Sequence, residues 1–421
     1  MRMKNEFSRA IIIVVMILSM SLQTFAYEFE VDGIYYNIID SKKNKVEVTH
    51  KAFLEESYDA INDYSADVKI PSNINLNGVT YEVTSIGWKA FENSKNLKSV
   101  DIPNSVVEID DDAFNECTNL LYVKMSDSIK SIGKTAFYLC ENLTSITIPK
   151  NVTKIGEHAF NWCKNLNEVN ITDLSAWCKI DFEYYQANPL CCAKILKLNG
   201  VEITDLVIPN DVKIIKPYSF PLYNALMSVT IPESIEEIGE YAFYSCYKLT
   251  NLTIAEGVKK IGEYAFCDCN SITSVLIPNT VETIGKYAFH ECDGIKTIII
   301  GNSVSQIGEY AFDGSPLNSI TSLNVEPPKC MDPLVFGNYS TNTYNVLLMI
   351  PEGTRMAYAN ADEWCKFINI QEIASVEDVE LDKNVTELVR YDIYGRVLNA
   401  PTKGINIVKM SDGSTYKELV K

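Results

Sequence analysis

The side chains able to do chemistry are few. The 421 residues include three histidines, His50, His158 and His290. They are far apart in the chain, and no serine, cysteine or aspartate stands in a pattern that would assemble a nucleophile, a base and an orienting acid around one of them. Cys267 with Cys269, and Cys191 with Cys192, lack the spacing of a zinc site. Asp110, Asp111 and Asp112 form one acidic run without further calcium ligands nearby, which reads as a solvated corner. The glycines are single, so no phosphate-cradling loop is present. No metal, cofactor or catalytic residue is therefore expected, and the question moves to what the remaining residues build.

They build a repeat. "SIEEIGEYAFYSC" (Ser234 to Cys246) recurs as "GVKKIGEYAFCDC" ending at Cys269 and "TVETIGKYAFHEC" ending at Cys292. Its phenylalanine falls at Phe91, Phe114, Phe137 and Phe160, then at Phe220, Phe243, Phe266, Phe289 and Phe312, always 23 residues apart within each run. A fixed period of this size predicts a solenoid. One unit cannot bury its own apolar face, so its neighbours must cover it.

Within a unit, alternation such as Ser145 to Ile148 predicts a half-buried strand. A proline then turns the chain, as at Pro103, Pro149, Pro209, Pro232 and Pro278. A second short extended piece leads to a glycine corner: Gly87, Gly133, Gly156, Gly239, Gly262, Gly285 or Gly308. Asp110 stands in that slot once, as fits a left-handed corner. Lys216 stands there once, before Pro217, which predicts a different corner. In the coil starting at Leu143, the inward set is Leu143, Ile146, Ile148, Val152, Ile155, Ala159 and Phe160. Cys117, Cys140, Cys163, Cys246, Cys269 and Cys292 each follow the repeat phenylalanine by three. Parallel Cβ vectors one coil apart do not suit disulfides, so these six are expected as buried thiols. A bridge from Cys178 to Cys191 or Cys192 stays open.

The pattern IP…V..IG..AF..C..L at a period of 23 resembles the bacterial leucine-rich repeats named after the BspA surface antigen, also seen in treponemal surface proteins. The resemblance covers residues 83–325, with a longer variant coil at 171–203. It implies a β-rich leucine-rich repeat solenoid of 23-residue coils, to which the strand-like alternation of the tail adds a small β domain at the C-terminus. The first strand of each coil would line a concave sheet and the IG..AF piece the convex side. Residues 27–82 and 326–373 are similar to the family's N- and C-terminal caps. It also implies a non-catalytic binding protein that adheres to a protein or glycan ligand on host or neighbouring bacterial cells. The alternatives are an exported enzyme or accessory subunit acting on glycans, or a structural subunit of a surface assembly.

Residues 1–26 have the form of an export signal: Arg2, Lys4 and Arg9 precede the apolar stretch Ala10 to Leu22, and Thr24 to Ala26 offer small residues for cleavage before Tyr27. Without them the chain carries 34 basic and 54 acidic residues, a net charge of −20. Such a chain repels nucleic acid and anionic lipid. Residues 374–421 alternate like strands. Asp392 to Arg396, Lys403 to Val408 and Lys417 to Lys421 resemble the C-terminal sorting domain of the type IX secretion system of Bacteroidetes, with Asn406 where an aromatic is common. That resemblance implies contact with secretion machinery.

Two stripes are candidate contact surfaces. On the first strands, one outward row ends Ser228, Asn251, Ser274, Thr297, Ser322, and its neighbour ends Thr230, Thr253, Leu276, Ile299, Asn324. Thr230, Thr253, Leu276 and Ile299 are the candidate binding strip, with Leu276 and Ile299 as a small apolar spot. The other reading has the closing cap folded over those two. Tyr218, Tyr241, Tyr264, Tyr287 and Tyr310 share one slot two residues before the phenylalanine. They are read either as rings sealing a corner or as a contact strip for a glycan or protein.

Overall fold

The computed structural model describes residues 26–53, 60–331, 334–337, 346–373, 387–392, 397–398, 400, 404–410 and 415–420. The expected export signal lies outside the described residues except for Ala26, as do residues 374–386 and 393–396 of the sorting-like tail. The chain is a β-solenoid with little helix, and it divides into two compact units, residues 1–169 and 170–421.

In the first unit a hairpin, Phe29–Val31 with Ile34–Asp40, leads antiparallel into Lys45–Thr49. Lys45–Thr49 runs parallel to Val79–Ile86, which starts a ladder of two-residue strands: Glu108–Ile109, Ser131–Ile132 and Lys154–Ile155. A second ladder carries the first strands of the early coils. It begins at Asp67–Lys69, inside the segment expected as a cap, and continues through Ser99–Asp101 and Tyr122–Lys124 in parallel.

The second unit repeats the plan. Its second-strand ladder runs from Ile214–Ile215 through Glu237–Ile238, Lys260–Ile261, Thr283–Ile284 and Gln306–Ile307 to Lys329–Cys330. Before it, residues 171–203 form the helix Leu174–Cys178, two 3₁₀ turns and the hairpin Ile195–Leu198 with Val201–Glu202. Trp177 Nε1 and Asn188 Nδ2 both donate to Ser219 O at 3.0 Å, which fastens this variant coil to the next one. At the far end Leu347–Pro351 and Asn369–Ile373 extend the first-strand sheet, with the helix Arg355–Ala359 between them. Residues 387–420 carry a four-stranded antiparallel sheet.

The core is a column of rings. Phe91, Phe114, Phe137 and Phe160 stack at 5.0–5.3 Å in the first unit. Phe220, Phe243, Phe266, Phe289 and Phe312 stack at 5.2–5.4 Å in the second. Every one of these phenylalanines is fully buried. The seven inward residues expected of the Leu143 coil are all buried too.

The corner glycines have a different reason from the one expected. None of the seven has a positive φ, and neither does Asp110. The left-handed residues come two and six positions later: Thr135 and Leu139, Tyr264 and Asp268, Tyr287 and Glu291, with φ of 51–62°. Glycine is needed for close approach instead. A Cβ on Gly133 would sit 2.4 Å from Asp111 N, and one on Gly308 2.4 Å from Lys286 N. The Lys216–Pro217 coil turns like the others, with Tyr218 at φ 59° and Leu222 at φ 59°. The three aspartates fasten the corner. Asp110 Oδ1 accepts from Asp111 N, Asp111 Oδ1 from Lys134 N at 2.6 Å, and Asp112 Oδ1 from Thr135 Oγ1 at 2.5 Å.

Candidate functional site

The outward rows of the second unit are read from strand register. Asp205, Ser228 and Asn251 are partners in one row, and Val207, Thr230 and Thr253 in the next. Further on, the rows are Ser274–Thr297–Ser319–Leu347 and Leu276–Ile299–Thr321–Met349. Ser322 and Asn324 therefore do not belong to these rows. The last coil is one residue short, which turns both inward. Ser322 accepts a hydrogen bond from Tyr358 Oη at 2.7 Å, and Asn324 Nδ2 donates to Gly301 O at 2.9 Å.

The four candidate residues do not form one continuous strip. Thr230 and Thr253 close one first-strand sheet, and Leu276 and Ile299 open the next, so the ladder is interrupted between Asn251–Ile254 and Ser274–Ile277. At that interruption Glu256 bonds across the gap in place of backbone, accepting from Asn279 N at 3.2 Å and Thr280 N at 3.1 Å. Leu276 is 59% exposed, but Ile299 only 8%. Leu276 is open, and Ile299 lies beside the wholly buried Thr321. Leu276, Ile299, Ile254, Pro278 and Leu323 line a groove of about 440 Å³ whose walls are mostly apolar.

The tyrosine column is regular. Tyr218, Tyr241, Tyr264, Tyr287 and Tyr310 stack at 5.4, 4.5, 4.6 and 5.0 Å, and Tyr184 of the variant coil leans on Tyr218 at 5.9 Å. All five have positive φ, which is uncommon for a bulky residue. Stacking offsets that strain and leaves ring edges, rather than faces, toward solvent. Burial first, then Glu240, pushes the Tyr218 phenol up to about 12.

These coils match the model of the BspA type leucine-rich repeat region in six copies, over residues 67–186 and 198–318. The chain belongs to that family. Among solved structures, it is similar to a leucine-rich cell surface protein of Faecalibacterium prausnitzii, at 24% identity over 70% of this chain and 94% of that one, TM-score 0.35. It is also similar to a leucine-rich repeat protein of Bacteroides capillosus, at 32% identity over 34% and 98%, TM-score 0.29. A third is the leucine-rich repeat protein of T. pallidum, at 22% identity over 53% and 90%, TM-score 0.36. No curated protein shows a significant sequence match. Among the described residues no helix is long and apolar enough to cross a membrane.

The BspA-type cysteine slot has a bonding role. Each ladder thiol donates to the carbonyl of the preceding coil's phenylalanine: Cys117 to Phe91 O at 2.9 Å, Cys140 to Phe114 O at 3.2 Å, Cys269 to Phe243 O at 3.3 Å. Burial pushes the Cys117 thiol up to about 12. None of the twelve cysteines is in a disulfide, and the Cys178 bridge that sequence left open is not formed. Iodoacetamide is expected to label Cys365, which is exposed, in the folded protein and the ladder cysteines only after unfolding. Mass mapping checks this, and native labelling of Cys140 would sink it.

Sequence reasoning missed one constellation. Cys267, His290 and Asp313 each follow a repeat phenylalanine by one, so they stack on successive coils. Cys267 Sγ lies 3.9 Å from His290 Nδ1, and His290 Nε2 lies 3.4 Å from Asp313 Oδ2. The signal was available: residues 23 apart in one slot are neighbours. The composition is that of a nucleophile, base and acid, but the environment is not. Cys267 is 5% exposed, and burial, then Asp268 and Glu291, push its thiol up to about 12. A catalytic thiol needs the opposite shift. Among the described residues no group of three His, Cys, Asp or Glu side chains is placed to hold a metal ion.

Proposed function

We propose that the protein is an exported, non-catalytic surface protein that captures a protein partner of host or neighbouring cells through the groove at Leu276. One observation carries the reading: a large apolar side chain, 59% exposed, at the mouth of an apolar groove, flanked in the neighbouring outward row by Ser274 and Thr297. Contiguous apolar surface rimmed by polar groups marks contact sites. The apolar lining favours a protein side chain over a sugar. The tyrosine column, with its ring faces taken up by one another, suits a sealing role better than a sugar platform. Leu276→Asp is expected to abolish capture in pull-downs of extracellular matrix proteins and glycans, with stability within about 0.5 kcal/mol of the parent. Undiminished capture by this variant overturns the reading.

Export rests on the signal-like residues 1–26, and surface display on the sorting-like tail. Deleting residues 389–421 is expected to retain the protein inside a host that has the type IX machinery. Unchanged display, measured by surface proteolysis, would remove the sorting role and leave the groove reading standing.

A further inference from the structure

The variant coil carries an adjacent pair of cysteines outside the thiol ladder. Cys191 ends the 3₁₀ turn Pro189–Cys191, and Cys192 caps it. Both are thiols in this structure and both are partly exposed, whereas the six ladder cysteines are buried. Their sulfurs lie 3.6 Å apart, in van der Waals contact. The turn that presents them is fastened to the next coil. Asn188 Oδ1 accepts from Leu190 N at 2.9 Å, while Asn188 Nδ2 donates to Tyr218 O at 2.8 Å and to Ser219 O at 3.0 Å. Within the turn, Cys191 N donates to Asn188 O at 3.0 Å and Cys192 N to Pro189 O at 3.2 Å. The third cysteine of this coil does not compete. Cys178 is 0% exposed, and burial, then Asp211, pushes its thiol up to about 12. The thiolate is the attacking species in disulfide chemistry, so a buried thiol of that kind is inert.

We propose that Cys191 and Cys192 are a site of reversible oxidation, closing into a disulfide between adjacent residues when the protein meets a disulfide donor, R–S–S–R. One thiolate of the pair attacks a donor sulfur, forms a mixed disulfide and releases one R–S⁻. The neighbouring thiolate then attacks the cysteine sulfur of that mixed disulfide and releases the second R–S⁻. The pair loses two electrons and two protons, and the donor gains both as two R–SH. The second step needs little travel: sulfurs in contact at 3.6 Å close to about 2.05 Å. Reversal is built in. Adjacent Cα atoms are about 3.8 Å apart, closer than the about 4.4–6.8 Å that a relaxed bridge spans. The closed ring is therefore strained, and strained, accessible disulfides are the readily reduced ones. This chemistry is independent of the groove at Leu276, and purified protein tests it without relying on export.

The test is oxidation of the purified, fully reduced full chain with oxidised glutathione, followed by alkylation with iodoacetamide, digestion with trypsin and mass mapping. Trypsin releases Ile180–Lys194 with both cysteines on one peptide. That peptide is expected to lose two hydrogens and to take up neither iodoacetamide nor glutathione. Dithiothreitol should restore both labels. Cys365, exposed and with no cysteine beside it in the chain, should stop at the mixed disulfide with glutathione. Cys191→Ser and Cys192→Ser should each stop there too, with glutathione on the remaining thiol and an unchanged circular dichroism spectrum. A parent peptide that still takes two iodoacetamide labels, carries glutathione, or is bridged to Cys178 overturns the proposal.

Discussion

Phe266→Ala is expected to destabilise the second unit by about 3–5 kcal/mol, the range for emptying a buried phenylalanine site. Phe266 is fully buried and stacks on Phe243 at 5.2 Å and on Phe289 at 5.2 Å, so one truncation removes two ring contacts. In a solenoid each coil is held mainly by its neighbours. The loss therefore falls on the interfaces to both sides, and the unfolding transition should broaden as well as shift. Phe266→Leu keeps most of the volume and should lose clearly less. Urea unfolding followed by circular dichroism reads both variants. A loss below about 1 kcal/mol for the alanine variant would mean that the ring column is not what holds the coils together.

Gly285→Ala tests the opposite fault, a bump instead of a hole. Gly285 has no positive φ, so alanine is conformationally acceptable there and would by itself tend to stabilise the chain. The added Cβ, however, would lie 2.6 Å from Glu263 N and 2.6 Å from Gly262 C. These are backbone atoms of the neighbouring coil and cannot swing aside. The coil spacing must open, and a loss of about 1–3 kcal/mol or more is expected from such overpacking. Gly200→Ala is the informative control. Gly200 has φ 82° and nothing within 4 Å, so its loss is one of backbone strain alone, about 1 kcal/mol. If Gly285→Ala were neutral or stabilising in the same urea assay, the close-approach account of the corner glycines would fail.

Much of this was legible in the chain itself. A 23-residue period places like residues in register, so the phenylalanine column, the tyrosine column and the thiol ladder follow from counting. Parallel Cβ vectors were enough to argue against disulfides along that ladder. The same counting places Cys267, His290 and Asp313 on adjacent coils, although their side-chain types differ and no repeated letter draws attention to them. Tertiary structure decided what depends on distance between coils and on segments outside the repeat. Glycine at the corner is read locally as a left-handed turn, yet at Gly133 and Gly308 it answers to the backbone of the coil below, which no single unit contains. The one-residue deletion before Ser319 turns Ser322 and Asn324 inward, because a strand's faces alternate with every residue. Leu276 and Ile299 occupy the same outward slot, yet one is open and the other buried, a difference no repeat letter carries. The interrupted ladder before Ser274 and the 3.6 Å approach of the Cys191 and Cys192 sulfurs are likewise properties of packing: pattern assigns residues to a face, but only the folded chain sets which atoms find partners.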